Sequence, residues 1–127
     1  MARYDFAPHF SEEEFTCKCG CGIHNPNQGF LERLERARIR AEIPFNITSG
    51  SRCKKHNEDV GGVDSSSHLA SEAMESHAGD IDARGSRQRG IIIPSLVKVG
   101  FNRLGFAKSF IHVDIDPALP PNMIWFY

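Results

Sequence analysis

Phe110-Ile111-His112-Val113-Asp114-Ile115 is a run in which apolar and polar side chains alternate. Because successive side chains of a β-strand point to opposite faces, this alternation predicts a strand whose apolar face lies against the core. His112 and Asp114, followed by Asp116, share the other face. We therefore expect a strand that is buried on one side and presents an imidazole and carboxylates on the other.

A second stretch supplies a histidine and a carboxylate from another part of the chain. Ser65-Ser66-Ser67-His68 is polar, and Asp80-Ile81-Asp82-Ala83 has the pattern of a short strand. Two histidines and a carboxylate that converge from separate segments are ligands typical of a catalytic zinc, which keeps a fourth position for water. The sequence therefore predicts a zinc site formed by His68, His112 and a carboxylate between them in the chain.

The bulk properties are those of an ordinary globular chain. Its 127 residues predict one domain, 1–127, with a modest core. A net charge of -1 gives no electrostatic reason to expect nucleic acid or an anionic membrane as a partner. No apolar run approaches the roughly 18 residues of a membrane span. The first ten residues lack the apolar core of a signal peptide, so we expect synthesis in the cytoplasm and a separate route of release.

Four cysteines, Cys17, Cys19, Cys21 and Cys53, raise the question of a second metal site. Without an export signal, a disulfide framework is not expected. Thiolates suit zinc, but the C-x-C-x-C spacing differs from the common C-x2-C knuckle. Reduced, partly buried thiols in a glycine-rich loop are therefore the preferred interpretation, and a structural zinc site is the alternative.

Helix and strand signals alternate along the chain. Ser11 and Glu14 form a capping-box pattern that predicts a short helical turn. The main helix is predicted over 28–41 from an apolar stripe, which comprises Phe30, Leu31, Leu34, Ala37 and Ile39. The other predicted elements are a strand at 44–48, a surface loop at 54–67, a mostly helical stretch over 86–99 with Gly100 as its C-cap, strands at 101–106 and 110–115, and a strap from 117 to 127. Within 86–99, Pro94 is expected to kink the helix or to mark its proper start.

Four segments, in this order, resemble the zinc D-Ala-D-Ala carboxypeptidase family. That family includes vancomycin-resistance D,D-dipeptidases and many phage endolysins, and it shares its fold with the hedgehog signalling domain. The segments are His9-Phe10-Ser11 to Glu14-Phe15 with the Cys-Gly-Cys-Gly loop, Thr48 to Cys53 with His56-Asn57 and Gly61-Gly62, Ser66-x-His68 with Ala78-x-Asp80, and Phe110 to Asp114. The resemblance implies an α+β fold, in which a small, mainly antiparallel sheet carries the zinc site and helices pack behind it.

Spacing leaves two candidates for the carboxylate ligand. The family motif S-x-H-x-x-G-x-A-x-D places the aspartate seven residues after the histidine, whereas His68 and Asp80 are twelve apart. We interpret the difference as a five-residue insertion between positions 69 and 76. Glu75 has the usual spacing, but Asp80 leads into an apolar residue that restarts a strand, and it is therefore preferred.

The resemblance also suggests which residues act in catalysis. Several branches of the family carry an acidic base three residues before the last zinc histidine, where this chain has Ser109, which cannot accept a proton at neutral pH. Asp114, on the same strand face as His112, is our candidate base, with orientation of a ligand as the alternative. Arg52 is assigned to catalysis and substrate binding, with a structural salt bridge as its alternative. Ser66 is assigned to the substrate-binding side of the motif, as a hydrogen-bonding rather than a reacting group.

These features imply a zinc peptidase that hydrolyses peptidoglycan stem peptides, either at a terminal D-alanine or at an internal bond. Zinc would activate a water and polarise the amide carbonyl. The phage-type opening implies a phage or prophage endolysin, which we expect to be a monomer that reaches the wall after release. The alternatives are a non-catalytic zinc-containing binding module of the same fold, and an interaction protein built on the cysteine cluster.

Overall fold

The computed structural model describes residues 3–127, within which there are four helices and one five-stranded sheet. The prediction that the first ten residues lack the apolar core of a signal peptide includes Met1 and Ala2, which lie outside the described residues. The elements are α1 Glu12–Phe15, α2 Gln28–Ala41, β1 Ile47–Ser49, α3 Lys54–Asp59, β2 Ala78–Asp82, α4 Ser86–Lys98, β3 Arg103–Phe106, β4 Phe110–Asp114 and β5 Met123–Phe126.

The strand order in the sheet is β1-β2-β4-β3-β5. Neighbouring strands run antiparallel except β3 and β5, which run parallel. The prediction of an α+β fold with a small, mainly antiparallel sheet is therefore confirmed. Between residues 3 and 127, no helix is both long and apolar enough to cross a membrane.

Helix α2 has the predicted bounds and supplies much of the core. It begins after Asn27, whose side chain accepts a hydrogen bond from the backbone N–H of Phe30, and it ends at Glu42 in the left-handed conformation. Four of the five predicted stripe residues are fully buried, but Ile39 is 57% exposed. At 100° per residue, Ile39 lies about 160° round the axis from the buried Ala41, so its assignment to the stripe was wrong.

Helix α4 covers nearly all of the stretch over 86–99 that was predicted to be helical, but it runs through Pro94, so the expectation that it begins near this proline is wrong. Proline lacks the N–H that would bond to the carbonyl of Gly90, a defect that costs about 3 kcal/mol in a helix. Ile92 and Leu96, on either side, are fully buried. Burying two such side chains stabilises the helix by roughly 1.5–3 kcal/mol each, which offsets the defect. Gly100 follows the helix at a φ of 98°, in agreement with its predicted role at the helix end.

Two further segments differ from their predictions. Residues 54–59 form helix α3 instead of a loop, because the side chain of Cys53 accepts a hydrogen bond from the backbone N–H of His56 and so caps the helix. The tail was expected to be a strap, but its end forms β5, an edge strand whose N–H and C=O groups pair with those of β3. The short helical turn after Ser11 has both hydrogen bonds of the predicted capping box.

The alternation in β4 separates the core from a cleft. Ile111 and Val113 are fully buried within the main apolar cluster. His112 and Asp114 point to the opposite face and line a cavity. In the antiparallel register of β2 and β4, Asp80 lies directly opposite His112, so their side chains share this face.

Candidate metal centre

Three ligand atoms from separate segments converge at the floor of the cleft. Asp80 Oδ1 lies 3.1 Å from His68 Nε2 and 3.0 Å from His112 Nδ1, and the two nitrogens are 3.2 Å apart. All three side chains are buried. Ligands at 2.0–2.1 Å from a tetrahedral zinc are separated by about 3.3 Å. The observed triangle therefore has the size that a zinc ion requires.

The hydrogen bonds behind the two histidines fix their tautomers. His68 Nδ1 lies 2.7 Å from the carbonyl oxygen of Gly50, which can only accept, so this nitrogen carries the proton. His112 Nε2 lies 2.7 Å from Asp114 Oδ2 and likewise donates. In the neutral imidazoles, His68 Nε2 and His112 Nδ1 are then lone-pair acceptors that face each other and the Asp80 carboxylate. Three mutually facing acceptors repel one another unless a cation lies between them, so the donor set fits a metal ion.

Asp114 is embedded behind His112 and does not face an open space. Its Oδ1 accepts from Arg103 Nε at 2.7 Å and from the backbone N–H of Asp116 at 3.2 Å, while Oδ2 accepts from His112. Burial would raise the pKa of Asp114, but the hydrogen bonds from His112 and Arg103 outweigh burial and lower it. Both oxygens therefore already have donors, as expected for a carboxylate that orients a ligand histidine.

The pKa values of the cluster follow from burial and from these contacts. Burial lowers the pKa of His68, against the opposing charge of Asp80. Burial also disfavours the charged form of His112, but the hydrogen bond to Asp114 and the negative charge of Asp80 outweigh burial and raise the pKa of His112. Burial would raise the pKa of Asp80, but the two neighbouring histidines outweigh burial and hold this pKa well below its usual range. The Asp80 carboxyl is thus ionised at neutral pH.

Arg52 lies against the cluster at the wall of the cleft. Its Nη2 donates to Asp80 Oδ2 at 3.3 Å, its Nε to Ser49 Oγ at 2.9 Å and its Nη1 to Asn57 Oδ1 at 3.3 Å. Ser66 also lines the cleft, and its hydroxyl accepts from the backbone N–H of His68 at 3.2 Å. The structure thus brings both residues to the site, with Arg52 in the salt bridge that was its alternative role.

The competing ligand Glu75 lies away from the cluster. Its side chain is exposed and Oε1 accepts from Asn27 Nδ2 at 3.1 Å. Ser109 and His77 are not among the residues that line the cleft. The backbone of Ser109 bonds to Ala83, and that of His77 bonds to Ser67 and Ile115. The geometry therefore favours the reading with an insertion, in which Asp80 closes the motif.

Three cleft residues were not singled out from the sequence as site residues. Arg103 pairs with Asp114 and lies under Trp125, with its guanidinium carbon 5.1 Å from the indole. The Trp125 ring is 5.5 Å from the His112 ring, and Tyr127 lines the same cavity, whose volume is about 530 Å³. The Trp-Phe-Tyr segment at 125–127 was the available signal, since it was expected to pack across the domain as part of a strap. Burial of Asp114 required a cation, but nothing in the sequence identified Arg103.

The four cysteines also converge, at a separate place. The Sγ atoms of Cys17 and Cys19 are 3.5 Å apart, those of Cys19 and Cys53 are 3.7 Å apart, and all four sulfurs lie within 4.8 Å of one another. Cys17 is buried, whereas Cys19 and Cys21 are exposed. Burial raises the pKa of the Cys17 thiol, but hydrogen bonds from its neighbours outweigh burial and lower it to about 7.

A comparison with protein families agrees with this geometry. The family described as Peptidase M15 matches residues 8–114, a span that holds both the His-Asp-His cluster and the cysteine cluster. Strand β5, with Trp125, lies beyond the matched span. No curated protein matches the chain. Because the match covers most of the chain and the resemblance read from its motifs is confirmed, the chain belongs to the peptidase M15 family, the zinc D-Ala-D-Ala carboxypeptidase type.

Proposed function

We propose that this zinc peptidase hydrolyses the peptide stems of bacterial peptidoglycan, as a D-Ala-D-Ala carboxypeptidase or as a stem endopeptidase. Membership of the M15 family makes the chain a metallopeptidase by class, and the choice of peptidoglycan as its substrate is the proposal. The observation that carries the proposal is the triangle of three buried acceptor atoms at the floor of an open cleft.

His68 Nε2, Asp80 Oδ1 and His112 Nδ1 would hold the zinc ion, and three protein ligands leave a position for water. When bound, zinc lowers the pKa of a water toward about 7 and polarises the carbonyl of the scissile amide. Gly50 and Asp114 hold the two imidazoles in the tautomers that this ligation needs. The site is therefore organised before the substrate arrives.

Of the two roles left open for Asp114, its contacts support orientation of His112 over proton transfer. A base must offer a lone pair to the reacting water, and both Asp114 oxygens are already occupied by donors. Its side chain is also almost completely buried. We therefore assign Asp114 as a positioning residue.

Arg52 has the capacity to hold Asp80 and to bind substrate as well. A guanidinium carries five N–H donors, and three of them are used by Ser49, Asn57 and Asp80. Two donors remain on a side chain that lines the cleft. They suit the carbonyl or terminal carboxylate of a stem peptide, while Trp125 offers an apolar surface to alanine methyl groups.

A second candidate function is a non-catalytic binding module that keeps the zinc. Among the described residues that line the cleft, the carboxylates are Asp80 and Asp114, and both are engaged. Ser109 occupies the position where the resemblance would place an acidic base. The lack of an acidic residue at this position specifically favours the binding module, which a test that separates binding from hydrolysis distinguishes from the peptidase.

The cellular setting that we propose is a phage or prophage endolysin, on the resemblance of the 9–22 segment to phage-type members. Such an enzyme is made in the cytoplasm, acts as a monomer and meets its substrate only after release to the wall. Lysis of cells from outside by added protein, with an inactive His112→Ala variant as control, tests this setting separately from the chemistry.

The chemistry is tested by mass spectrometry of purified peptidoglycan after digestion with the zinc-loaded protein. We expect new stem fragments that disappear with chelator, return when zinc is restored and are absent for His112→Ala but present for His77→Ala. The fragment masses name the bond. If several wall types stay intact while the zinc-loaded protein co-sediments with them, hydrolysis is refuted and the binding module takes its place.

A further inference from the structure

We propose that Cys17, Cys19, Cys21 and Cys53 bind a second zinc ion, which is structural and separate from the site in the cleft. This inference does not depend on the proposed function. It reverses the preference, drawn from the unusual C-x-C-x-C spacing, for free thiols in this loop.

The separations of the sulfur atoms match those around one ion. Four ligands at about 2.3 Å from a tetrahedral zinc are about 3.8 Å from one another. The Cys17–Cys19 and Cys19–Cys53 sulfur pairs are 3.5 and 3.7 Å apart, and no pair in the cluster exceeds 4.8 Å. Four sulfurs from two distant segments thus already outline a single coordination sphere.

The backbone of the loop is shaped to turn three thiols toward one point. Gly20 and Gly22 have φ values of 89° and 84°, in the left-handed region that favours glycine. A Cβ at either position would meet nothing within 4 Å, so these glycines are required by the backbone conformation and not by crowding. The backbone N–H of Cys17 closes the loop by donating to the carbonyl of Ile23 at 2.8 Å.

Backbone donors are directed at two of the sulfurs. The N–H of Cys53 donates to Cys17 Sγ at 3.4 Å, and the N–H of His56 donates to Cys53 Sγ at 3.3 Å. Such donors offset negative charge on thiolates and orient them, as outer contacts do at metal sites in general. The first of them also joins the loop that follows α1 to the segment that carries Arg52.

The ligand chemistry narrows the choice of ion and gives its role. Four thiolates exclude magnesium and calcium, which require oxygen ligands, and a tetrahedral set of four sulfurs is typical of zinc or iron, of which we propose zinc. A set of four protein ligands closes the coordination sphere, so this ion supplies structure and not catalysis. On binding, each thiol releases its proton to solvent, and the binding free energy adds to the stability of the folded chain.

Metal content of purified variants tests the proposal. We expect two zinc ions per wild-type chain, one in the double variant Cys19→Ser/Cys21→Ser, one in His68→Ala and none when these changes are combined. Cys19 and Cys21 are exposed, so serine there leaves the core unchanged. Lys18→Ser, an exposed change in the same loop, is the matched control and should retain both ions.

Cobalt substitution gives a readout that survives if the cysteine variant fails to fold. The His68→Ala protein keeps the cluster, so its cobalt form should show thiolate-to-cobalt charge-transfer absorption in the near ultraviolet. Three results would overturn the proposal. The first is a wild-type chain that holds one zinc ion and loses it in His68→Ala, and the second is a cobalt form of His68→Ala without this absorption. The third is a mass, measured without reducing agent, that shows disulfides among the four cysteines. Each result leaves the cleft site to be judged by its own test.

Discussion

Replacement of Asp114 by asparagine gives a direct test of how the cleft site is organised. The carboxylate accepts from His112 Nε2 and from Arg103 Nε, each at 2.7 Å. Asparagine has one acceptor oxygen, and Arg103 cannot give up its protons, so that oxygen stays with the guanidinium. The amide NH2 then faces His112 Nε2. A neutral imidazole must respond by moving its proton to Nδ1, which is the atom that would ligate zinc.

The size of the effect follows from the contact that is lost. A hydrogen bond to a charged group contributes about 1.5–3 kcal/mol. Loss of an outer partner at a metal site typically reduces affinity by about 10–100-fold, which corresponds to roughly 1.4–2.8 kcal/mol. The two estimates agree, so we expect Asp114→Asn to weaken zinc binding at this site by about one to two orders of magnitude.

Competition with a chromogenic chelator measures this change. Asp116→Asn is the control, because its side chain caps the backbone N–H of Ala118 and does not contact His112. Zinc binding by Asp114→Asn within about twofold of wild type would refute the tautomer argument. The hydrolysis rate at saturating zinc then separates the two roles of Asp114. Recovery of the rate supports orientation, and a rate that stays low supports proton transfer.

Three further predictions follow from the contacts of single residues. Asp80→Asn should abolish zinc binding in the cleft, and Glu75→Gln should leave it unchanged. The opposite result in the same chelator assay would make Glu75 the carboxylate ligand. Gly105→Ala should displace Trp125, because a Cβ would lie 2.5 Å from its Nε1. The emission of this single tryptophan should shift and stability should fall by about 1–3 kcal/mol, so an unchanged spectrum and denaturation midpoint would contradict the packing. Leu31→Ala should cost about 2–5 kcal/mol in urea denaturation, and a cost below about 1 kcal/mol would mean that α2 is not the core helix.

The part of the fold that could be predicted is the part where local pattern and burial agree. Alternation in 110–115 determines which side chains of β4 face the core, since a one-residue shift would bury His112. The bounds of α2 follow from its apolar period and its end signals. The Ile39 error could have been avoided from the sequence, because at 100° per residue Ile39 lies about 180° round the axis from Phe30, on the face opposite the stripe.

The site required long-range contacts that sequence spacing does not determine. Arg103 acts through Asp114 only because β3 lies beside β4, and strand pairing is a property of the whole sheet. Trp125 reaches His112 because β5 adds to the edge of β3 in parallel, a non-local connection without a short signal. The cysteine cluster depends on Cys53 meeting a loop more than thirty residues earlier.

Four consecutive residues connect the two candidate metal sites, and this connection explains why the segment folds as it does. The Gly50 carbonyl fixes the tautomer of His68, and a Cβ at Gly50 would lie 2.6 Å from the backbone of Phe15, so glycine is needed for that approach. The backbone N–H of Ser51 donates to the carbonyl of Phe15. Arg52 donates to Asp80 Oδ2, and Cys53 belongs to the cysteine cluster. Consecutive Cα atoms are about 3.8 Å apart, so a displacement of Cys53 also moves the backbone of Arg52. The double variant Cys19→Ser/Cys21→Ser should therefore bind its remaining zinc in the cleft more weakly in the chelator assay, and an unchanged affinity would refute this coupling.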